Sequence, residues 1–168
     1  MVEEPASQRT ETTVSSASGY AELSSAATGT GRFLKNWFDR LAESGWTAEV
    51  FLGALSEDLV WTATGTSPIS GTYRGLTAYV DGIYKPLDER LESWPRPSVE
   101  RIVADGEWGV VEFSSTGGRG TNGSDYNMRY CWVIHVQQGL VTEVTGYYDT
   151  STVCALFADE AEPIAVKG

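Results

Sequence analysis

YNMRYCWVIHVQQGLVTEVTGYYD, residues 126 to 149, is the stretch on which the fold depends. Tyr126, Met128, Tyr130, Trp132, Ile134 and Val136 alternate with Asn127, Arg129, Cys131, Val133 and His135. That is the two-residue period of a strand, with one face wholly apolar or aromatic. Gln137-Gln138-Gly139 reads as a turn, in which Gly139 takes the positive φ of a bulged hairpin. Leu140 to Tyr148 is the returning strand. Pairing Val136 with Leu140 sets Trp132 across from Val144, Tyr130 across from Gly146 and Met128 across from Tyr148. Gly146 then leaves a gap that the Tyr130 ring or a ligand can fill.

Working outward, the strands Ser98 to Ala104 and Trp108 to Ser115 precede this hairpin, joined by a turn at Asp105-Gly106. A Gly-rich loop at 117–124 separates them from it. Trp94-Pro95-Arg96-Pro97 reads as an extended connector. Before it, residues 76–92 carry Tyr79, Ile83 and Leu87 at inward helical positions, and Pro86 is expected to kink or shorten that helix. Leu59 to Thr64 is a strand in which Leu59, Trp61 and Ala63 share a face. Phe33, Leu34, Trp37, Phe38 and Leu41 recur at helical spacing and predict an amphipathic helix over 30–43, ended by Ser44-Gly45. Thr47 is placed to cap a short second helix, and 150–157 to form a terminal one. The expected class is α+β: a curved, cone-shaped antiparallel sheet with about three helices packed on its concave face.

The chain has 168 residues and a formal net charge of −11. The length fits one domain with a real core. The expected division is a disordered tail over 1–29, poor in large apolar residues, a folded domain over 30–157, and a loose tail over 158–168. The charge argues against nucleic-acid phosphates and anionic membrane surfaces as partners. Cys131 and Cys154 lack CxxC spacing and read as reduced packing residues. No run has the length of a membrane helix and no signal peptide is expected, which predicts a cytoplasmic protein. No His or Cys cluster has metal-ligand spacing, so no metal or other cofactor is expected.

The segments SEDLVWTATG, GTYRG before a helix, EWGVVEF, and YCWVIHVQQGLVTEVTGYYD with its Tyr-x-Asp ending resemble the nuclear transport factor 2-like superfamily, the cone fold, and its SnoaL-like members. The resemblance covers about residues 31–157. It implies a conical pocket between sheet and helices, and a homodimer through the outer sheet face, where Asn127 and Arg129 lie. It does not by itself fix an activity, because the superfamily holds isomerases, cyclases, dehydratases, epoxide hydrolases and non-catalytic binders. Positions that carry the epoxide hydrolases' acids, arginine, tyrosine and asparagine correspond here to Val110, Glu112, Gly146, Trp61 and Ala63. One acid of that constellation survives, Glu112, so epoxide hydrolysis is not expected. The SnoaL-type cyclases use an acid near the end of the last strand, where this chain has Gly146. Glu112 beside Tyr130 resembles the acid–tyrosine oxyanion hole of ketosteroid isomerase.

Glu112 is thus the leading candidate for proton transfer. If it faces the pocket with Val110 and Ser114, its carboxyl loses water and stays protonated near neutral pH. The competing reading is an outward partner of Arg129, and the two differ by one residue of register. Tyr130 and Tyr148 share the pocket parity and are candidate hydroxyl donors to a substrate oxygen; aromatic packing explains them equally. Trp61 and Trp132 read as pocket walls, with Ala63, Tyr79 and Ile83 beside them. Met128, Val144, Gly146 and Trp37 complete the expected ligand contacts. Asp149 reads as a cap for the last helix, and His135 points away from the pocket. Two functions remain in competition. One is a cofactor-independent enzyme of secondary or xenobiotic metabolism, of isomerase, cyclase or dehydratase type. The other is a non-catalytic binding or accessory protein. Either takes an apolar, cyclic small molecule.

Overall fold

The computed structural model describes residues 29–158. The expected disordered tail (1–29) and C-terminal tail (158–168) lie outside them, apart from Gly29 and Ala158. Helix α1, Gly29–Ser44, buries Leu34, Trp37, Phe38 and Leu41, one stripe at 3.6-residue spacing. It stops at Gly45, whose φ of +70° is left-handed and whose N–H returns to the Leu41 carbonyl at 2.9 Å. Arg96 closes the same end. Its guanidinium donates to the Ala42 and Glu43 carbonyls at 2.7 and 2.9 Å, which the helix cannot satisfy itself. Helix α2, Ala48–Phe51, runs into a single tight turn at Leu52–Ala54.

Strands β1 (Leu55–Ala63) and β2 (Gly71–Arg74) form a hairpin. Helix α3 (Leu76–Tyr79) widens into a π turn at Val80–Tyr84 before α4 (Lys85–Asp88). Pro86 is therefore tolerated in the first turn of the last piece, where its missing N–H costs nothing. The π turn also holds Gly82 against the Tyr73 ring, where a Cβ would come within 2.1 Å. Strands β3 (Leu91–Ser93), β4 (Arg96–Asp105), β5 (Trp108–Thr116), β6 (Arg119–Gly120), β7 (Arg129–Gln137) and β8 (Leu140–Tyr148) follow, then α5 (Thr150–Leu156). Asp149 caps α5, accepting from the Ser151 N–H at 2.9 Å and its hydroxyl at 2.6 Å; those bonds hold its carboxyl below the usual carboxylate range.

The large sheet runs β2-β1-β8-β7-β5-β4, and β3 pairs with β6 in a small second sheet. The class is α+β as expected, but the sheet is mixed. β1 lies parallel to β8, with Trp61 beside Val144 and Ala63 beside Gly146. The hairpin register also differs from the expected one. Gln138 and Gly139 both have positive φ, so they alone form the turn and Gln137 faces Leu140. A bulge between His135 and Val136 then brings Ile134 opposite Val144, Trp132 opposite Gly146 and Tyr130 opposite Tyr148. The total slip is two residues. Beyond the bulge the even slip leaves side chains on their expected face but changes their neighbours, so Gly146 makes room for Trp132, not Tyr130; between turn and bulge the slip is one residue, so Val141 is buried opposite Val136 and Leu140 is exposed.

Candidate functional site

Strands β1, β8, β7 and β5 each send alternate side chains to the face that the helices cover. β5 settles the open register. Gly109, Val111, Phe113 and Ser115 are buried while Val110, Glu112 and Ser114 are not. Phe113 pairs with Tyr130, their rings stacked with centroids 4.5 Å apart. Glu112 is therefore on the outer face, and the expectation that it faces the pocket is corrected. Arg101 Nη1 lies 3.2 Å from one carboxylate oxygen and Arg129 Nη2 3.3 Å from the other. Arg129 also pairs with Glu100. Half-exposed pairs of this kind contribute about 0–1 kcal/mol. Val110 and Ser114 share the outward parity and also leave the pocket.

On the covered face, a cavity of ≈ 70 Å³ is lined by Trp61, Ala63, Tyr79, Ile83, Trp132 and Gly146, all expected there. Tyr130 and Tyr148 reach it too. Three expected contacts do not. Trp37 stands behind Phe51, stacked on it at 5.7 Å with its indole donated to the Val50 carbonyl. Val144 is fully buried in the core beneath Trp61. Met128 is buried in the irregular segment before β7, its backbone engaged by Ser115. The remaining wall is formed by Trp46, Phe51, Ile69, Leu87, Trp94, Pro95 and Tyr126. Trp46, Ile69, Trp94 and Pro95 lie between regular elements or at their ends, where no periodicity marks a facing. Leu87 and Tyr126 had inward positions in the sequence, and only their nearness to the cavity was missing; Phe51 comes from the short helix α2.

The rings form a continuous wall. Trp61 meets Tyr79 at 4.5 Å and Trp132 edge-on at 5.0 Å, and Trp46 meets Trp132 at 5.7 Å. Among the described residues, no carboxylate, imidazole, amine or thiol lines this cavity. Its ionisable groups are tyrosines. Tyr148 shares a hydroxyl contact of 3.3 Å with Ser67, a residue of the loop before β2. Burial pushes Tyr79 and Tyr126 well above their ordinary value. Burial likewise pushes Tyr130 up to about 12, against a hydrogen bond from Ser115 that pulls it down. Tyr79, Tyr126 and Tyr130 are thus protonated at neutral pH and act as neutral donors or acceptors. His135 is held elsewhere, by Thr142 at 2.6 Å and Glu107 at 3.2 Å. Cys131 is half-buried and Cys154 exposed, so the second is not the packing residue that was expected. No group of three or more His, Cys, Asp or Glu among the described residues is arranged to hold a metal, and no described helix is long and apolar enough to cross a membrane.

The tyrosines set the alkaline limit of the fold. An unfolded tyrosine loses its proton near pH 10, while folded Tyr130 keeps it until about 12. Between those values the unfolded state is favoured increasingly as pH rises. By pH 11 this one group is expected to remove about 1 kcal/mol of stability. Tyr130→Phe, which keeps the Phe113 stack, is expected to flatten the decline between pH 9 and 11 in urea unfolding. An unchanged slope would show that Tyr130 ionises freely in the folded state.

Comparison with solved structures places this architecture among known folds. A nuclear-transport-factor-2-like protein from Burkholderia thailandensis superposes with a TM-score of 0.62 at 16% identity, covering 76% of this chain and 96% of its own. One from Burkholderia xenovorans is 24% identical, with a TM-score of 0.55, covering 76% and 94%. A proposed SnoaL-like polyketide cyclase from Mesorhizobium loti is 20% identical, with a TM-score of 0.57, covering 72% and 100%. At these identities the likeness shows the fold alone. No curated protein sequence matches the chain. The SnoaL-like domain family matches residues 34–144, most of the ordered sheet and its helices, and the chain belongs to that family.

Proposed function

We propose that this protein binds a compact, neutral, largely apolar small molecule in the aromatic cavity, and that Glu112 takes no part in what happens there. The observation that carries this is the composition of the wall: aromatic and aliphatic side chains whose only ionisable members are tyrosines. General acid–base catalysis needs a group that takes a proton near neutral pH, and protonated tyrosines do not supply one. The size is consistent. A cavity of ≈ 70 Å³ accommodates only about five to seven waters at ~10–15 Å³ each, so the ligand is small rather than polycyclic.

An isomerase- or cyclase-type activity is the second reading. The Tyr148–Ser67 contact and protonated Tyr130 favour it, because neutral hydroxyls can stabilise an enolate oxygen. The Mesorhizobium loti relative described as a proposed polyketide cyclase lends it support. A base would then have to come from the substrate or from water.

Cyclopentanone serves as a probe for both readings. Trp fluorescence is expected to change saturably as it is added, equally in wild type and Glu112→Gln. No proton exchange at its α-carbons above the buffer rate is expected in deuterated water. Accelerated exchange lost in Tyr148→Phe would replace the binding reading with the enzymatic one. A tenfold weakening in Glu112→Gln would return that residue to the site.

A further inference from the structure

The cavity wall holds indole donors that the protein itself leaves unused. Trp37 donates to the Val50 carbonyl at 3.2 Å and Trp94 to the Asp88 carboxylate at 2.8 Å. Trp46 has no such acceptor. Its Nε1 is closed off from solvent and unpaired. Among the described residues the Trp132 nitrogen has no protein acceptor either. Both rings are 6% exposed and both line the cavity, with centroids 5.7 Å apart. A buried donor without an acceptor is rare because it has given up water for nothing.

Trp46 carries a second unfavourable feature. Its φ is +64°, a left-handed conformation that bulky side chains seldom adopt. The chain holds it there from two sides, through Gly45, also left-handed, and through the Tyr84 hydroxyl, which donates to the Trp46 carbonyl at 3.3 Å. Strain and an orphaned donor thus meet in one residue of the wall. Strained residues cluster at ligand clamps, and this one packs its ring against Trp132. Gly146 adds the opening. A Cβ there would stand 3.3 Å from Trp132 Nε1, so glycine leaves that nitrogen uncovered.

We propose that the Trp132 indole N–H, at the Gly146 gap and without a protein acceptor among the described residues, donates to an acceptor oxygen of the ligand, while the sealed Trp46 ring backs it at 5.7 Å. The wall has no lysine, arginine or histidine to balance an anion, and the chain carries −11 overall. The acceptor is therefore neutral, a ketone, ester or ether oxygen, and the ligand class is a small carbonyl or ether compound. This rests on the reading that the cavity binds a compact neutral molecule.

The test pairs cyclopentanone with methylenecyclopentane, which has the same shape and no acceptor. In 15N-labelled wild-type protein, cyclopentanone is expected to shift the Trp132 indole N–H resonance downfield, and methylenecyclopentane is not. The Trp132 resonance is assigned from its contact with Tyr130, which no other tryptophan ring makes among the described residues, so the spectrum stands without any variant. Trp132→Phe is expected to weaken cyclopentanone about three- to tenfold, the worth of one neutral hydrogen bond, and to leave methylenecyclopentane within about twofold. Equal shifts from both probes, or equal weakening of both, overturn the donor site while leaving cavity binding intact. Failure of both probes to bind wild type overturns the cavity reading and the donor site with it.

Discussion

Gly146→Leu is expected to abolish ligand binding while leaving a folded protein. Gly146 sits on β8 between Trp132 on one side and Ala63 on the other. Its carbonyl accepts from the Thr64 N–H at 3.0 Å and the Thr64 hydroxyl at 2.8 Å, so the strand is pinned. The backbone there is not left-handed, and a leucine meets no conformational barrier. Its Cβ would lie 3.3 Å from Trp132 Nε1 and 3.4 Å from Cδ1. The rest of the side chain then has only the cavity to enter, and ≈ 70 Å³ leaves no room for both leucine and ligand. Over-packing of this kind costs about 1–3 kcal/mol, a tolerable part of a domain's ~5–15 kcal/mol. Fluorescence titration with cyclopentanone should lose its saturable response, with cooperative urea unfolding retained. Unchanged affinity would mean that the ligand sits elsewhere and that this cavity is packing space.

The hairpin at 126–149 was legible because the alternation of its first strand is strong: Tyr126, Met128, Tyr130, Trp132, Ile134 and Val136 share one parity. That fixed which face of β7 and β8 the helices cover, even though the bulge at His135–Val136 moved each residue's partner. Bulges insert a residue without any compositional mark here, so the neighbours of Tyr130 could not be read. β5 was harder for a different reason. Val110 and Val111 are adjacent and alike, and the period of two does not choose between them. The pattern of charges did hold the answer. Arg101 and Arg129, on the strands flanking β5, converge on Glu112, and opposite charges across strands favour an outward facing. The parallel pairing of β1 with β8 is invisible in either strand alone, since it depends on how the intervening helices return the chain. Trp46, Ile69 and Trp94 reached the cavity from turns and connectors, where side-chain direction follows tertiary contacts rather than sequence period.

Phe38→Ala is expected to cost about 3–5 kcal/mol of stability, the largest loss foreseen for a single side chain. Phe38 is 1% exposed and holds α1 against the sheet. Its ring meets Phe113 edge-on at 4.9 Å and Trp132 at 5.8 Å, and Trp37 packs against it at 5.5 Å. Removing it deletes the ring's own burial and leaves a void bounded by β-sheet aromatics. Those cannot collapse into the void, because Phe113 is stacked on Tyr130 and Trp132 is wedged against Trp61. A loss of this size approaches the whole stability of many domains, so urea unfolding of the variant should begin at very low denaturant. Phe38→Leu restores much of the volume and is expected to recover more than half of the loss. The effect also reaches the cavity. Trp132 is backed by Phe38 on one side and forms the cavity wall on the other, so ligand affinity should fall in Phe38→Ala even where the protein stays folded. A cost below about 1 kcal/mol, with affinity unchanged, would show that α1 is not the support on which the aromatic wall rests.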